Sequence, residues 1–272
     1  MRGRFIGRGG SACCLALTLL ACDAGPTTLT QAEPLAQYFL APAPDSRDPL
    51  LLVSRFEITR AEYSQESDPL LAELPAVGMT RPEAAAWARA QRMRLPTREE
   101  WLHLRVAGGA VSREPDRANT LELGLGRALP VGAIASGATG LGGYDFEGNV
   151  WEWLADEVAP QAEGGLSEAR ALQAGGSFAN YRVGPRDAAV REVKATDRAS
   201  DVGFRPVVEA LPWLHDRLLP RWREADSNER ERIRQAVDGW GAELRVQLVR
   251  RWRQSYPDES EFARFLGGEG GA

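Results

Sequence analysis

The sequence predicts an α+β fold, rich in loops, that ends in a C-terminal helical extension. Three observations carry this expectation. Thr80-Arg81-Pro82-Glu83 and Thr97-Arg98-Glu99-Glu100 are capping patterns, in which threonine oxygen and glutamate carboxylate reciprocally satisfy the orphan N–H groups of a first helical turn. Residues 107–209 are rich in glycine with only short apolar pieces, a loop-dominated composition that needs something, such as a ligand or metal, to hold it together. After Pro212, apolar residues recur at helical spacing.

Composition bounds the function classes. At 272 residues, with 43% hydrophobic and 26% charged residues, the chain can bury a sizeable core as one domain with additions or as two small ones. The net charge is −5 without a long acidic or basic block, so neither a nucleic-acid track nor a polybasic membrane patch is expected. Lys194 is the sole lysine. The arginine excess reads as compositional bias or, alternatively, as bidentate anion recognition.

The elements follow in chain order. Arg2, Arg4 and Arg8 precede the short apolar run SACCLALTLLA, too short to span a membrane and laid out like an export signal over residues 1–21. Leu19-Leu20-Ala21-Cys22 resembles the lipobox of bacterial lipoproteins. That resemblance implies cleavage before Cys22, lipidation of its thiol and a lipid-anchored protein of the bacterial cell envelope, facing the periplasm or the exterior. The alternative is a plain cleaved signal, or an uncleaved anchor, with Cys22 incidental. Asp23 resembles an inner-membrane retention signal. The cysteines are Cys13, Cys14 and Cys22, so the mature domain would have no thiol for a disulfide and would rely on its core or on metal. Residues 22–49, rich in Pro, Ala and small polar residues, read as a tether.

A folded domain is expected over 50–209. Leu50-Leu51-Leu52-Val53 and Phe56-Glu57-Ile58-Thr59 look like strands around a bend, with Phe56 and Ile58 on one face. Thr80 starts a helix to about Arg92, and Thr97 starts a second through about Val106, closed by Gly108-Gly109. In the extension, 210–272, Asp226-Ser227-Asn228-Glu229 can cap one long helix carrying Ile233, Val237, Trp240, Leu244 and Leu248, with Trp252 a turn beyond. Residues 211–272 hold 11 arginines and 11 acidic residues. This amphipathic extension would pack on its own domain, offer a partner surface or touch lipid.

Four pieces in order then carry a resemblance. They are Phe56-Glu57-Ile58-Thr59 with Tyr63; Arg94-Leu95-Pro96-Thr97-Arg98-Glu99-Glu100-Trp101; Gly143-Tyr144-Asp145-Phe146-Glu147-Gly148-Asn149-Val150-Trp151-Glu152-Trp153; and Gly175-Gly176-Ser177-Phe178 with Gly203-Phe204-Arg205. Over about residues 50–208 the chain resembles the formylglycine-generating enzyme (sulfatase-modifying factor) family. The resemblance implies a variant of the C-type lectin-like fold, with little regular secondary structure. It also implies a structural calcium ion on the carboxylates of Asp145 and Glu152 and the carbonyls of Gly148 and Val150. Calcium takes several oxygen ligands from a flexible loop, so the chemistry is reasonable. The alternative is that Asp145 and Glu152 bond the turn's own amides while Trp151 and Trp153 fill core. A second family calcium site has at most a remnant at Asn119.

The catalytic pattern departs from the family. The copper-binding cysteine pair of the formylglycine-forming enzyme falls, by direct count, on Asn180 and Pro185. Without thiolates there is no soft copper site. The related iron-dependent sulfoxide synthases need a histidine set, whereas this chain has only His103, expected on a helix surface, and His215 in the extension. No copper or iron is therefore expected, nor a Ser-His-Asp set or phosphate cradle. What remains is the surface where the family presents a substrate peptide: Ser177, Asn180, Tyr181, Arg186 and Arg191 offer hydrogen bonds, an aromatic face and cationic forks for an extended peptide or an anionic ligand. Alternatively, Arg186 and Arg191 pair with Asp187, Glu192 or Asp201, and Ser177 is a turn residue. The expected function is a non-catalytic, calcium-stabilised binding or assembly module of the envelope, with an envelope protein or peptide as ligand. The rival is a cysteine-independent oxidoreductase acting on an exported peptide or metabolite.

Overall fold

The computed structural model describes residues 34–45, 47–107, 114–158, 169–182 and 190–268. The signal segment, Cys22 and Arg186 lie outside the described residues. Among those residues the strands are β1 (Tyr38–Ala41), β2 (Leu51–Ser54), β3 (Trp151–Val158), β4 (Arg170–Ala174), β5 (Val190–Lys194), β6 (Val202–Gly203) and β7 (Val207–Glu209). The α-helices are α1 (Arg60–Ser64), α2 (Pro69–Ala72), α3 (Arg81–Ala90), α4 (Arg98–Val106), α5 (Ala210–Trp213), α6 (Leu219–Glu224), α7 (Ser227–Asp238), α8 (Ala242–Ser255) and α9 (Ser260–Gly267).

The expected tether is corrected from residue 34 onward. Pro34–Gln37 form a 3-10 turn and β1 runs antiparallel to β2, with Tyr38 opposite Ser54 and Ala41 opposite Leu51. On its other side β2 pairs antiparallel with β7, giving the order β1-β2-β7. This sheet is buried on both faces, which is why Leu50-Leu51-Leu52-Val53 reads as an unbroken apolar run rather than an alternating one. Phe39, Leu51 and Val53 face a core with Trp101, Leu104, Phe146 and Leu154. Leu40, Leu50 and Leu52 face the other way, onto Leu214, Trp222, Ile233, Trp252 and Phe262. The C-terminal extension thus closes the domain's own core.

The second sheet has the order β5-β4-β3-β6, antiparallel except for the parallel pair β3–β6. Strand alternation sends Trp151, Trp153 and Ala171 into a third core with Ile58, Met79, Leu95 and Phe204. Leu154 and Ala174 point the other way, towards Trp101 and Phe146.

Both predicted capping boxes form, at Thr80 with Glu83 and at Thr97 with Glu100. The strand expected at Phe56–Thr59 does not. Thr59 instead caps α1 through Glu62, while Ile58 N–H bonds the Phe204 carbonyl at 3.0 Å. The single long helix expected after Asp226 is broken at Gly239–Gly241, where Gly241 takes φ +79°, and becomes α7 and α8. Between α5 and α6 the chain makes a π-turn, Leu214–Leu218, just ahead of Pro220. Proline has no N–H and its ring crowds the carbonyl four residues back, which the wider turn relieves.

Candidate binding site

The stretch from 143 to 153 ties three loops together. Asp145, Gly148 and Asn149 take φ of 57°, 75° and 54°, the left-handed region that Asp and Asn tolerate and glycine prefers. A Cβ on Gly148 would stand 2.3 Å from the Asn119 carbonyl oxygen. Asn149, which is buried, is the hub. Its Nδ2 donates to Glu57 Oε1 at 3.1 Å, and its Oδ1 accepts from Asn119 Nδ2 at 3.0 Å and from Leu129 N–H at 2.9 Å. Gly148 N–H donates to the Gly175 carbonyl and Phe178 N–H to the Asn149 carbonyl. Side-chain amides fastened to backbone therefore hold the glycine-rich middle in place.

Beneath the turn lies a buried charge cluster. Arg205, with 0% exposure, donates to Glu152 through Nη2 at 2.7 Å and Nε at 3.2 Å. It also reaches the carbonyls of Ser54, Arg55 and Tyr144, and its guanidinium lies 4.2 Å over the Phe146 ring. Trp101 Nε1 donates to Glu152 Oε2 at 2.8 Å. Asp145 Oδ2 accepts from Gly132 N–H at 2.6 Å, whereas Glu57 Oε2 has no donor among the described residues. Burial pushes the Glu57 carboxyl well above the usual carboxylate range, and Asp145 beside it adds to the rise. Burial also raises Asp145, opposed by the hydrogen bond from Gly132 N–H and by the charge of Arg205. Burial disfavours charge on Arg205, yet Glu152 keeps it above its ordinary value. Three carboxylates therefore face one guanidinium.

Of the four groups expected to hold calcium, Asp145 and Glu152 both border this cluster. Both oxygens of Glu152 serve Arg205 and Trp101 as folded here, so an ion on that carboxylate would take it from Arg205. With all three carboxyl groups ionised, the negative charge would exceed that of Arg205, a surplus that either a proton on Glu57 or a divalent cation would offset.

The expected ligand-binding residues meet on the rim of the second sheet. Ser177 Oγ lies 2.7 Å from Asp201 Oδ2 and 2.8 Å from Asn180 Oδ1, so its single hydrogen serves one acceptor at a time. Trp151 Nε1 donates to the same Asn180 oxygen at 2.7 Å. Arg191 does not pair with Glu192, which bonds Arg170 instead. Its guanidinium lies 4.0 Å over the Trp151 ring, and its Nε donates to Gln173 Oε1 at 2.8 Å. Gln173 and Arg191 are direct cross-strand partners. Tyr181, next in the chain to Asn180, is 73% exposed, while Ser177, with 0% exposure, is a structural hydroxyl and not an accessible nucleophile. Arg186 lies outside the described residues.

Trp151, Gln173 and Asp201 complete the site and were not legible as binding residues in the sequence. Arg182 was missed too: it and Arg105 clamp Glu147 from both sides. Trp151 and Arg191 share a face only once the β3–β4–β5 register is known, and no local signal supplies that register. His103 is half-buried rather than on the surface, with an Nε2 lacking a partner among the described residues. His215 stacks on Tyr256 at 4.2 Å within the extension, far along the chain from His103.

Residues 53–210 match the family model of the sulfatase-modifying factor enzyme 1-like domain. Among solved structures, the chain is similar to the crystal structure of CarF, with 21% identity and a TM-score of 0.51 over 59% of this chain and 87% of that one. PvdO from Pseudomonas aeruginosa, at 19% identity and a TM-score of 0.47, is covered over 91% of its length and 64% of this chain. Treponema denticola variable protein 1 gives 16% identity and a TM-score of 0.48, over 59% of this chain and 85% of that one. No curated protein matches.

Proposed function

The chain belongs to the sulfatase-modifying factor enzyme 1-like family, with that family's C-type lectin-like fold, and from this premise we propose that it is a non-catalytic binding or assembly module of the bacterial cell envelope. The observation that carries the reading is Asn180. At a position where the resemblance puts a reactive cysteine, this chain has an amide whose oxygen is fixed by Trp151 and Ser177. With every cysteine at or before residue 22, the domain has no thiolate to bind copper or carry sulfur redox chemistry. A rim of amide, aromatic ring and guanidinium is suited instead to holding an extended peptide. Anchorage through a lipid on Cys22 would present that rim to other envelope proteins or exported peptides.

Calcium stabilisation belongs to the same proposal. An ion at the 145–152 turn would use Asp145, Glu152 and the carbonyls of Gly148 and Val150, and what supports it is the surplus of buried carboxylate over guanidinium. Binding to the folded state alone raises stability by mass action, so millimolar calcium should raise the melting temperature of chelator-treated protein. Asp145→Asn should abolish the rise.

The test of function uses the full-length protein purified in detergent. Elemental analysis should find no stoichiometric copper or iron, and cross-linking from Tyr181 in envelope extracts should label a discrete partner, lost in Asn180→Trp. One equivalent of copper or iron with oxygen consumption would overturn the binding reading in favour of the cysteine-independent oxidoreductase.

A further inference from the structure

Arg191 has no carboxylate partner among the described residues. Other arginines of the domain show the contrast: Arg81 bonds Glu157, Arg94 bonds Glu100, Arg170 bonds Glu192, Arg198 bonds Glu83 and Arg205 bonds Glu152. Each of these guanidinium groups has a carboxylate. Among the described residues Arg191 has only the Trp151 ring beneath it and a neutral amide oxygen on Nε. Among the described residues its two terminal nitrogens have no acceptor. Burial lowers its pKa, partly offset by Asp201 and Asp197. A half-desolvated cation whose plane is fixed and whose outer edge is vacant favours a planar anion in front of it.

Resting on the reading that this rim is a binding cleft, we propose that Arg191 takes a carboxylate of a bound peptide, in bidentate fashion, with the Asn180 amide and Tyr181 alongside. The geometry favours carboxylate over phosphate. Two coplanar nitrogens on one edge match two carboxylate oxygens, and among the described residues expected at the rim Arg191 is the one cation. Asp201, hydrogen-bonded to Ser177 and electrostatically coupled to Arg191, discourages a second negative charge. Side-chain and C-terminal carboxylates share this chemistry, so the probes must tell them apart.

The experiment is nitrogen-15 NMR of the tryptophan indole groups in the full-length protein in detergent. Trp151, assigned with a Trp151→Phe variant, reports directly because its indole N–H donates to Asn180 and its ring lies under the Arg191 guanidinium. The probes are an end-capped Ala-Ala-Asp-Ala-Ala peptide, its Asn counterpart, tetra-alanine with a free C-terminus and inorganic phosphate. The Asp peptide, the free C-terminus or both should shift the Trp151 resonance, while the Asn peptide leaves it in place; which one shifts it identifies the source. Arg191→Gln should weaken the effect on the order of tenfold to hundredfold, and Arg191→Lys should recover only part, because an ammonium makes no planar fork. Equal shifts from the Asn peptide or from phosphate would overturn the carboxylate assignment, as would no shift from any probe at about 10 mM, a concentration that detects even feeble binding. If Tyr181 still cross-links an Asn180-dependent partner in that last case, the cleft reading stands and the carboxylate alone fails; without such a partner both fail. The Asp and Asn comparison is made on the unaltered chain, so it holds even where a variant misfolds.

Discussion

Arg205 is the residue on which the turn depends. It neutralises Glu152 and supports three backbone carbonyls, so removing it leaves a buried carboxylate uncompensated. Arg205→Met should therefore cost about 3–5 kcal/mol, measured by urea unfolding, whereas Arg198→Met, at an exposed and solvent-screened pair with Glu83, should leave the urea midpoint close to that of the unaltered protein. Glu57 sets a pH dependence of definite sign. Its folded pKa is raised, so across the window from the ordinary glutamate value up to the folded one the native state holds a proton that the unfolded chain has released. Stability then falls as pH rises through that window. Asp145, also raised, acts with the same sign, while Arg205 and Glu152 face the pair and stay paired to each other. In chelator, thermal melts from pH 5 to 9 should decline, and Glu57→Gln should flatten them; an unchanged slope would count against a proton on this pair. The sequence showed Asp145 and Glu152 converging around a Gly-Asn turn, and it showed Gly203-Phe204-Arg205 as a motif. It did not show that the two meet, because Glu152 and Arg205 are 53 positions apart and only the packing of β3 against β6 joins them.

Where an element is specified by chemistry within a few residues, it was legible. Thr97 accepts from Glu100 N–H while Glu100 reaches back to Thr97 N–H at 2.8 Å and pairs with Arg94 at 2.6 Å. Thr97→Ala should thus cost about 1 kcal/mol, near the middle of the range for a lost cap, read as a lowered urea midpoint at unchanged m-value; a shift in m would mean that more than the cap had changed. Elements defined by distant partners were not legible in this way. Phe56–Thr59 has strand composition, but the nearby Glu62 makes Thr59 a helix cap. Helical periodicity runs through Gly239–Gly241 without a break, yet the φ of +79° at Gly241 turns the chain, and α8 instead packs along α9 with Trp252 against Phe262. The π-turn before Pro220 follows from proline geometry, although composition alone does not say whether the chain widens a turn there or ends the helix.

At the scale of the whole molecule, the boundaries at 50 and 210 separate segments that share one core. Pro, Ala and short polar residues gave 22–49 the composition of a tether, and the family pattern stops short of the extension. Neither feature reveals that the β1-β2-β7 sheet needs cover on both faces. Leu35 and Leu40 pack with Leu50, Leu52, Trp240 and Trp252, and Trp240 Nε1 donates to the Tyr38 carbonyl at 3.1 Å across 202 positions. A fragment beginning at residue 50 would lose β1, and with it Leu35, Phe39 and Leu40, each at most 2% exposed. At roughly 1.5–3 kcal/mol for each such side chain, the loss is about 5–9 kcal/mol, comparable with the entire stability of a typical domain. Residues 50–272 should accordingly show no cooperative unfolding by circular dichroism and should aggregate along the bared edge of β2, whereas residues 34–272 should unfold in a single transition. Deleting 211–272 should fail in the same manner by uncovering the face of that sheet that carries Leu40, Leu50 and Leu52. A fragment 50–210 that melts cooperatively would show instead that the family segment closes its own core, and that the extension is an appendage free to serve a partner.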